Sequence, residues 1–314
     1  RESIKQGRKV VIHLKKVFIK VLNFFRYSGG KNQAKRYTRS RIGNFFFVFF
    51  LLLFGAFSVL PLVYCIATSF KPIDELLVFP PTFFVRRPTG QNYSILPELL
   101  SSLNVPLLRY IFNSVFVSAV ITVLYVLFSA MAAFSICKSG LKGKNIYFAV
   151  IQFALLFNAY TLSIPQYVII SKLNIIDTYW AYILPAIAST MGVFLMKQFM
   201  EGSVPDALLE AARMDGASPI RIFFTIIIPI VKPALMTLTL FGFRDAWASI
   251  PNGTIFSEEI KTLPYIMTQV AAGGIARSGS SMAVTVIMMI PPILIYFITQ
   301  SNVMETMSSA GIKE

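Results

Sequence analysis

Arg244 and Asp245 are the residues whose chemistry is most out of place with their surroundings. They stand in Phe241-Gly-Phe-Arg244-Asp245-Ala-Trp247-Ala248, inside an otherwise apolar stretch. Ionisable side chains at membrane depth are costly, so they face a cavity or one another. Neighbours in sequence lie about 100° apart on a helix, which makes a direct pair between these two awkward. A guanidinium in such a place suits an anionic group, which it can hold through charge-assisted hydrogen bonds. The alternative is an ion pair with a residue of a neighbouring subunit.

A second constellation is the polar segment from Ser203 to Pro229. It contains Glu210-Ala211-Ala212-Arg213-Met-Asp215-Gly216, then Ser218-Pro219 and an apolar run to Ile226, Ile228 and Pro229. The pattern predicts two short helices. Ser203 is placed to cap the first, with Pro205 and Asp206 in its opening turn. Gly216 ends it, and Ser218-Pro219 starts the second. Small Ala211 and Ala212 beside exposed Glu210 and Arg213 would let a partner's backbone approach closely. Such a helix pair suits a soluble partner, although an ordinary surface hairpin reads the same way.

Other chemistry is scarce. One histidine, His13, and two cysteines, Cys65 and Cys137, leave little for a triad or a metal site. The nearest approach to a phosphate loop, Gly140-Leu-Lys-Gly-Lys144, has the wrong spacing and no Ser/Thr after its lysine. There is no G-x-S-x-G, C-x-x-C or H-E-x-x-H. No catalytic residue, metal site or bound cofactor is expected in this chain.

These residues must be positioned by a membrane scaffold. The 314 residues carry 29 Lys+Arg against 14 Asp+Glu, yet 55% are hydrophobic and only 14% are charged. Soluble domains hold about 25% charged residues, so much of this chain must face lipid. The composition excludes wholesale disorder and a disulfide scaffold. Six stretches suffice to cross a bilayer core, at about 43–70, 110–137, 146–170, 179–199, 233–251 and 281–301. The expected fold is an all-α polytopic membrane protein with six transmembrane helices. Cys65 and Cys137 then lie on opposite sides of the bilayer and should not pair.

The charge is uneven. Residues 1–41 hold 13 basic residues and one acid, a net of +12 of the total +15. With the N-terminus inside, the inner segments hold 21 basic residues and the outer ones 7. This favours N-in and C-in, a vote decided mostly by the arm and supported by the three lysines of 138–145. The first residue is Arg, so the natural start is expected to be absent or altered, and the arm is too long and basic for a cleaved signal. Within it Val10, Leu14, Val17, Phe18, Val21 and Phe25 form an apolar stripe with Lys9, His13, Lys16 and Lys20 off it. This predicts an amphipathic basic helix on anionic lipid; a plain basic tail is the alternative, and nucleic acid is not expected as a partner. The outer loop 71–109, rich in proline and aromatics, reads equally as a docking surface for an extracytoplasmic partner or as a cap on the helix ends.

The segment Glu210-Ala211-Ala212, three residues, Gly216, nine residues, then Ile226-x-Ile228-Pro229 resembles the signature of permease subunits of binding-protein-dependent ABC importers. Ile228 stands where that pattern has leucine. Asp177-Thr-Tyr-Trp-Ala-Tyr-Ile-Leu-Pro185, Gly192-Val-Phe-Leu-Met-Lys-Gln-Phe199, Lys232-Pro-Ala-Leu235, Thr262-Leu-Pro264 and Ser309-Ala-Gly-Ile-Lys313 make the chain similar to the carbohydrate importers, in particular the second membrane subunit of maltose transporters. The resemblance covers about 43–314 as one transmembrane domain, leaving the arm 1–42 outside it.

The resemblance implies a second permease subunit, two ATPase subunits that bind ATP and Mg, and an extracytoplasmic solute-binding protein. It implies that Glu210, Ala211, Ala212, Arg213, Asp215 and Gly216, within a cytoplasmic loop of about 200–232 between helices four and five, form a coupling helix seated on an ATPase. It implies that the tail at Gly311 and Lys313 also reaches the ATPases. The family commonly has F-x-F-x-x-x-W-N, with an apolar residue where this chain has Arg244. From this departure, Arg244 and Asp245 are expected to line the translocation path, with Arg244 meeting an anion such as a uronate carboxylate and Trp247, one turn away, stacking on a sugar ring. The rivals are a permease for another solute, a stand-alone secondary transporter, which would show inverted repeats and a coupling-ion site, and a membrane enzyme.

Overall fold

The computed structural model describes residues 41–101, 105–157, 159–250 and 253–311. All regular structure among them is helical. Residues 1–40 of the basic arm 1–42, and Lys313, lie outside the described residues. The chain divides into two units, one ending at Leu60 and one beginning at Pro61.

The first helix, α1, runs Arg41–Ser69. Its charge-free stretch has no sequence neighbour to satisfy its backbone except itself, and in a bilayer only a helix or a closed barrel does that. Phe45, Leu52, Phe54 and Phe57 are exposed, the surface expected of a helix that meets lipid or another subunit.

In the second unit the central element is α2, Leu107–Cys137. At 31 residues it is about 46 Å long, ample for a bilayer core of about 30 Å. Next come α3, Lys144–Ala154, and α4, Ala159–Lys172. The span expected at 146–170 is therefore two helices of 11 and 14 residues, with a turn after Ala154. An apolar run reads the same whether or not its backbone breaks, so periodicity could not reveal this.

α5, Trp180–Ile187, and α6, Thr190–Ser203, together make a third long apolar stretch, with the Ser189 hydroxyl accepting from the Gly192 amide at the junction. α7, Asp206–Met214, and α8, Pro219–Ile222, follow. The chain then passes through a π-turn and a short helix to α9, Lys232–Ala248. Pro219–Ile230 and Lys232–Ala248 meet at 83°, at a Val231 flanked by Pro229 and Pro233, which cannot donate to the preceding turn. After α10, Leu263–Ala271, the long α11, Ser278–Gly311, closes the fold. Among the described residues, four helical stretches are long and apolar enough to cross a membrane, or five if the bent pair counts as one span.

α6 and α9 both cross α2 at Tyr125. A Cβ built on Gly242 would come within 2.7 Å of the Tyr125 ring, and one on Gly192 within 2.4 Å of Ser129 Oγ and 3.0 Å of the same ring. The absence of side chains at these two positions is what lets three helices converge there.

Hydrogen bonds gather the connecting loops at two ends. At one, Asn113 Nδ2 donates to the Glu259 and Lys261 carbonyls at 2.8 and 2.9 Å, and the Leu263 amide donates to Ser114 Oγ at 2.7 Å. Asp177 Oδ1 accepts from the amides of Phe256 and Ser257 at 2.9 and 2.8 Å. The loop after α1 is closed by Glu75, which accepts from the Arg86 and Arg87 amides, and by Asn92, which donates to the Ser69 and Lys71 carbonyls. Within this loop the cap reading has direct contacts, while Phe79 and Phe84 remain exposed. At the other end, Lys138 meets 204–213.

Candidate functional site

Several polar residues gather beside α9. A cavity of about 260 Å³ is lined by Tyr125 of α2, Pro185 of α5, Ser189 between α5 and α6, and Gly242, Asp245 and Ser249 along and just past the second half of α9. A second of about 260 Å³ shares Pro185, Ala186 and Ser249 with it and adds Ser163, Gln166, Tyr167, Tyr182 and Thr254. Each is somewhat smaller than the usual ligand pocket of about 300–1,000 Å³, but they adjoin. Hydroxyls, one amide and one carboxylate line them, which suits a polyhydroxylated solute.

Arg244 and Asp245 do pair, contrary to the expectation from their adjacency. Arg244 Nε and Nη2 donate to Asp245 Oδ1 at 3.0 and 2.9 Å. The arginine stem is long enough to wrap back around the helix, which Cβ positions alone do not reveal. The guanidinium also lies 5.7 Å from the centroid of the Phe241 ring. Both side chains are 66% exposed.

Trp247 is placed otherwise than expected. It is 4% exposed, stacked on Phe243 at 5.7 Å between centroids, and its Nε1 donates to the Met288 carbonyl at 2.9 Å. Its faces are committed to packing and its N–H to α11, so it does not stand open to a sugar ring. The sequence signal for this was Pro291-Pro292, which frees carbonyls one turn earlier.

At the opposite end, α7 presents Glu210, Ala211 and Asp215 to the surface while Leu209 is buried and Ala212 packs on the core. Gly216, at φ +77°, ends the helix in the left-handed region as its sequence position predicted. Ser218 caps α8, accepting from the Arg221 amide. Ser203 does not cap α7: it is the last residue of α6, and Pro205 occupies the cap position without a side-chain bond. The continuous helix of α6 simply runs further than its apolar pattern. Arg213 is not free either. Its Nη2 donates to the Lys138 carbonyl at 2.7 Å.

Lys138 is the residue that sequence reasoning missed. It is buried at the end of α2, and its Nζ donates to the Val204 carbonyl at 2.8 Å and to Asp206 Oδ1 at 2.7 Å. That hydrogen bond and the lysine charge hold the Asp206 carboxyl below the usual carboxylate range. The two exchanges, Lys138 to 204–206 and Arg213 to 138, latch α7 to α2. At the other end, the hydrogen bonds from Ser257 and Phe256 likewise lower the Asp177 carboxyl. Gly311 ends α11. Cys65 and Cys137 are free thiols.

No family model matches the chain. Curated relatives do. The chain is 25% identical over 291 residues to the polygalacturonan/rhamnogalacturonan transport system permease protein YtcP of Bacillus subtilis, covering 84% of this chain and 96% of that protein. It is 31% identical over 192 residues to the sn-glycerol-3-phosphate transport system permease protein UgpE of Pectobacterium atrosepticum, covering 60% of this chain and 68% of that protein. Among solved structures, a bacterial ABC transporter involved in the import of the acidic polysaccharide alginate has a chain of the same fold, with a TM-score of 0.68 at 23% identity, covering 84% of this chain and 98% of that chain. The two curated relatives are transport system permease proteins. With these relatives and its apolar helices, the chain is a multi-pass protein of the bacterial cytoplasmic membrane and belongs to the permease subunits of binding-protein-dependent ABC sugar importers.

Proposed function

We propose that this permease passes acidic oligosaccharides, with Arg244 in the translocation path. The observation that carries the reading is a guanidinium two-thirds exposed on α9, inside an apolar helix. A charge there cannot face lipid cheaply, so water, substrate or a partner subunit must cover it. The adjoining cavities put hydroxyl-lined space on the Asp245 side. YtcP, named for polygalacturonan, carries a substrate whose sugars bear carboxylates, the group a guanidinium binds best.

In the assembly we infer, residues 43–314 form one transmembrane domain beside a second permease subunit. Six spans, N-in and C-in, arise if α3–α4 serve as one and the bent pair ending in α9 as another. Glu210 to Gly216 seats on one of two ATPase subunits, which bind ATP and Mg, and Gly311 and Lys313 reach the same subunits. A solute-binding protein delivers sugar at the end formed by 71–109 and 253–280. The arm 1–42 lies on anionic lipid. ATP closes the ATPases, and the two states of the assembly differ in which side the path opens to.

The test is uptake by the complete importer carrying Arg244→Gln. Selective loss of acidic over neutral oligosaccharides is expected. Equal loss of both, or no loss, would overturn the assignment of Arg244 to an acidic substrate.

A further inference from the structure

We propose that Asp245 is a specificity-determining residue. It occupies Arg244 as an internal anion that a substrate carboxylate must displace, so the path favours saccharides able to compete for that guanidinium. The inference rests on the reading of Arg244 given above and adds to it a competitor built into the same helix.

The geometry of the pair is what points there. Both Arg244 donors converge on one oxygen, Asp245 Oδ1, at 3.0 and 2.9 Å. The Nε–Nη2 edge is one of those a free carboxylate takes in bidentate fashion, giving each N–H its own oxygen. Adjacency along the helix denies Asp245 that arrangement, whereas a substrate carboxylate is free to adopt it. The pair also stands open in this chain, with both side chains 66% exposed, and an exposed pair is weak wherever water reaches it. Displacement would not strand either partner. Phe241 keeps the guanidinium over its ring at 5.7 Å. Asp245 lines the cavity that also holds Tyr125, Ser189 and Ser249, whose hydroxyls can donate to a released carboxylate.

A neutral saccharide offers Arg244 only hydroxyls, which cannot match the charge of Asp245, so it leaves the pair intact. The pair therefore acts as a threshold. Removing the internal anion should lower that threshold for acidic sugars, so that the acidic-to-neutral ratio rises.

The experiment measures uptake per assembled complex, at subsaturating sugar, for a galacturonate trisaccharide and its neutral galactose counterpart, in membrane vesicles containing the whole importer and its solute-binding protein. Asp245→Asn is expected to raise the acidic-to-neutral ratio about threefold, the scale of an exposed ion pair. Asp245→Ser should do the same, and Asp245→Glu should hold the native ratio. Arg244→Gln should lower the ratio, and the double variant Arg244→Gln, Asp245→Asn should match Arg244→Gln alone. If Arg244→Gln lowers the ratio but neither Asp245→Asn nor Asp245→Ser raises it, the competitor role is overturned while the acidic path stands. If Arg244→Gln leaves the ratio unchanged, or the native importer takes up no acidic trisaccharide, both readings fall.

Discussion

Trp247 Nε1 donates to the carbonyl of Met288 at 2.9 Å, and Met288 is four residues before Pro292. In a regular helix the amide of residue 292 would fill that acceptor, but proline has none. The indole of α9 supplies the missing donor and so ties α9 to the proline-interrupted middle of α11. Trp247→Phe keeps the ring stacked on Phe243 and removes only the N–H. An unsatisfied buried carbonyl costs about 1–3 kcal/mol. A lower unfolding midpoint of the detergent-purified complex is expected, with an unchanged acidic-to-neutral uptake ratio. A change in the ratio without loss of stability would return Trp247 to the substrate path.

The latch between α2 and α7 predicts a mechanical phenotype. Lys138→Met keeps the buried stem but removes the bonds to Val204 and Asp206. Faster amide exchange across 204–214 is expected, with fewer sugars moved per ATP hydrolysed. The pH dependence has a definite sign. The folded Asp206 carboxyl titrates below its ordinary value of about 3.9. Its contribution is therefore complete above that value and is lost as pH falls through the lowered one. Exchange across 204–214 should be flat from pH 5 to 8 once corrected for intrinsic rates, rise only in strong acid, and lose that acid step in Lys138→Met.

The convergence at Tyr125 predicts intolerance of one methyl group. Gly242→Ala would place a Cβ 2.7 Å from the Tyr125 ring, and overpacking of this kind costs about 1–3 kcal/mol. Reduced membrane accumulation is expected. Gly242→Ala with Tyr125→Leu should recover part of it; no recovery would mean the clash is with something other than that ring.

Glu210 is exposed on α7 with Ala211 beside it. Glu210→Lys should abolish co-purification with the ATPase subunits while leaving the permease in the membrane. Retained association would place the coupling contact elsewhere.

The sequence disclosed the local features and concealed the long-range ones. The stop at Gly216 and the Ser218 cap were legible because each is fixed by residues within a few positions. The apolar stretches were legible as composition, though the break after Ala154 left no mark in them. Trp247 was misread because its partner is 41 residues away, and Lys138 passed as a topology charge because Val204 and Asp206 are 66 and 68 residues distant. The Arg244–Asp245 contact was misjudged for another reason: helix geometry constrains Cβ atoms, and an arginine head is several bonds beyond its own.

That contact also bears on how α9 first enters the bilayer. An isolated Arg or Asp at the centre of an inserting helix costs about 2.5–3.5 kcal/mol on the insertion scale. A pair made between different helices cannot offset this until both have arrived. Arg244 and Asp245 neutralise one another within a single segment, so α9 can leave the translocon as a dipole rather than as two charges, before any neighbouring subunit is present to receive them.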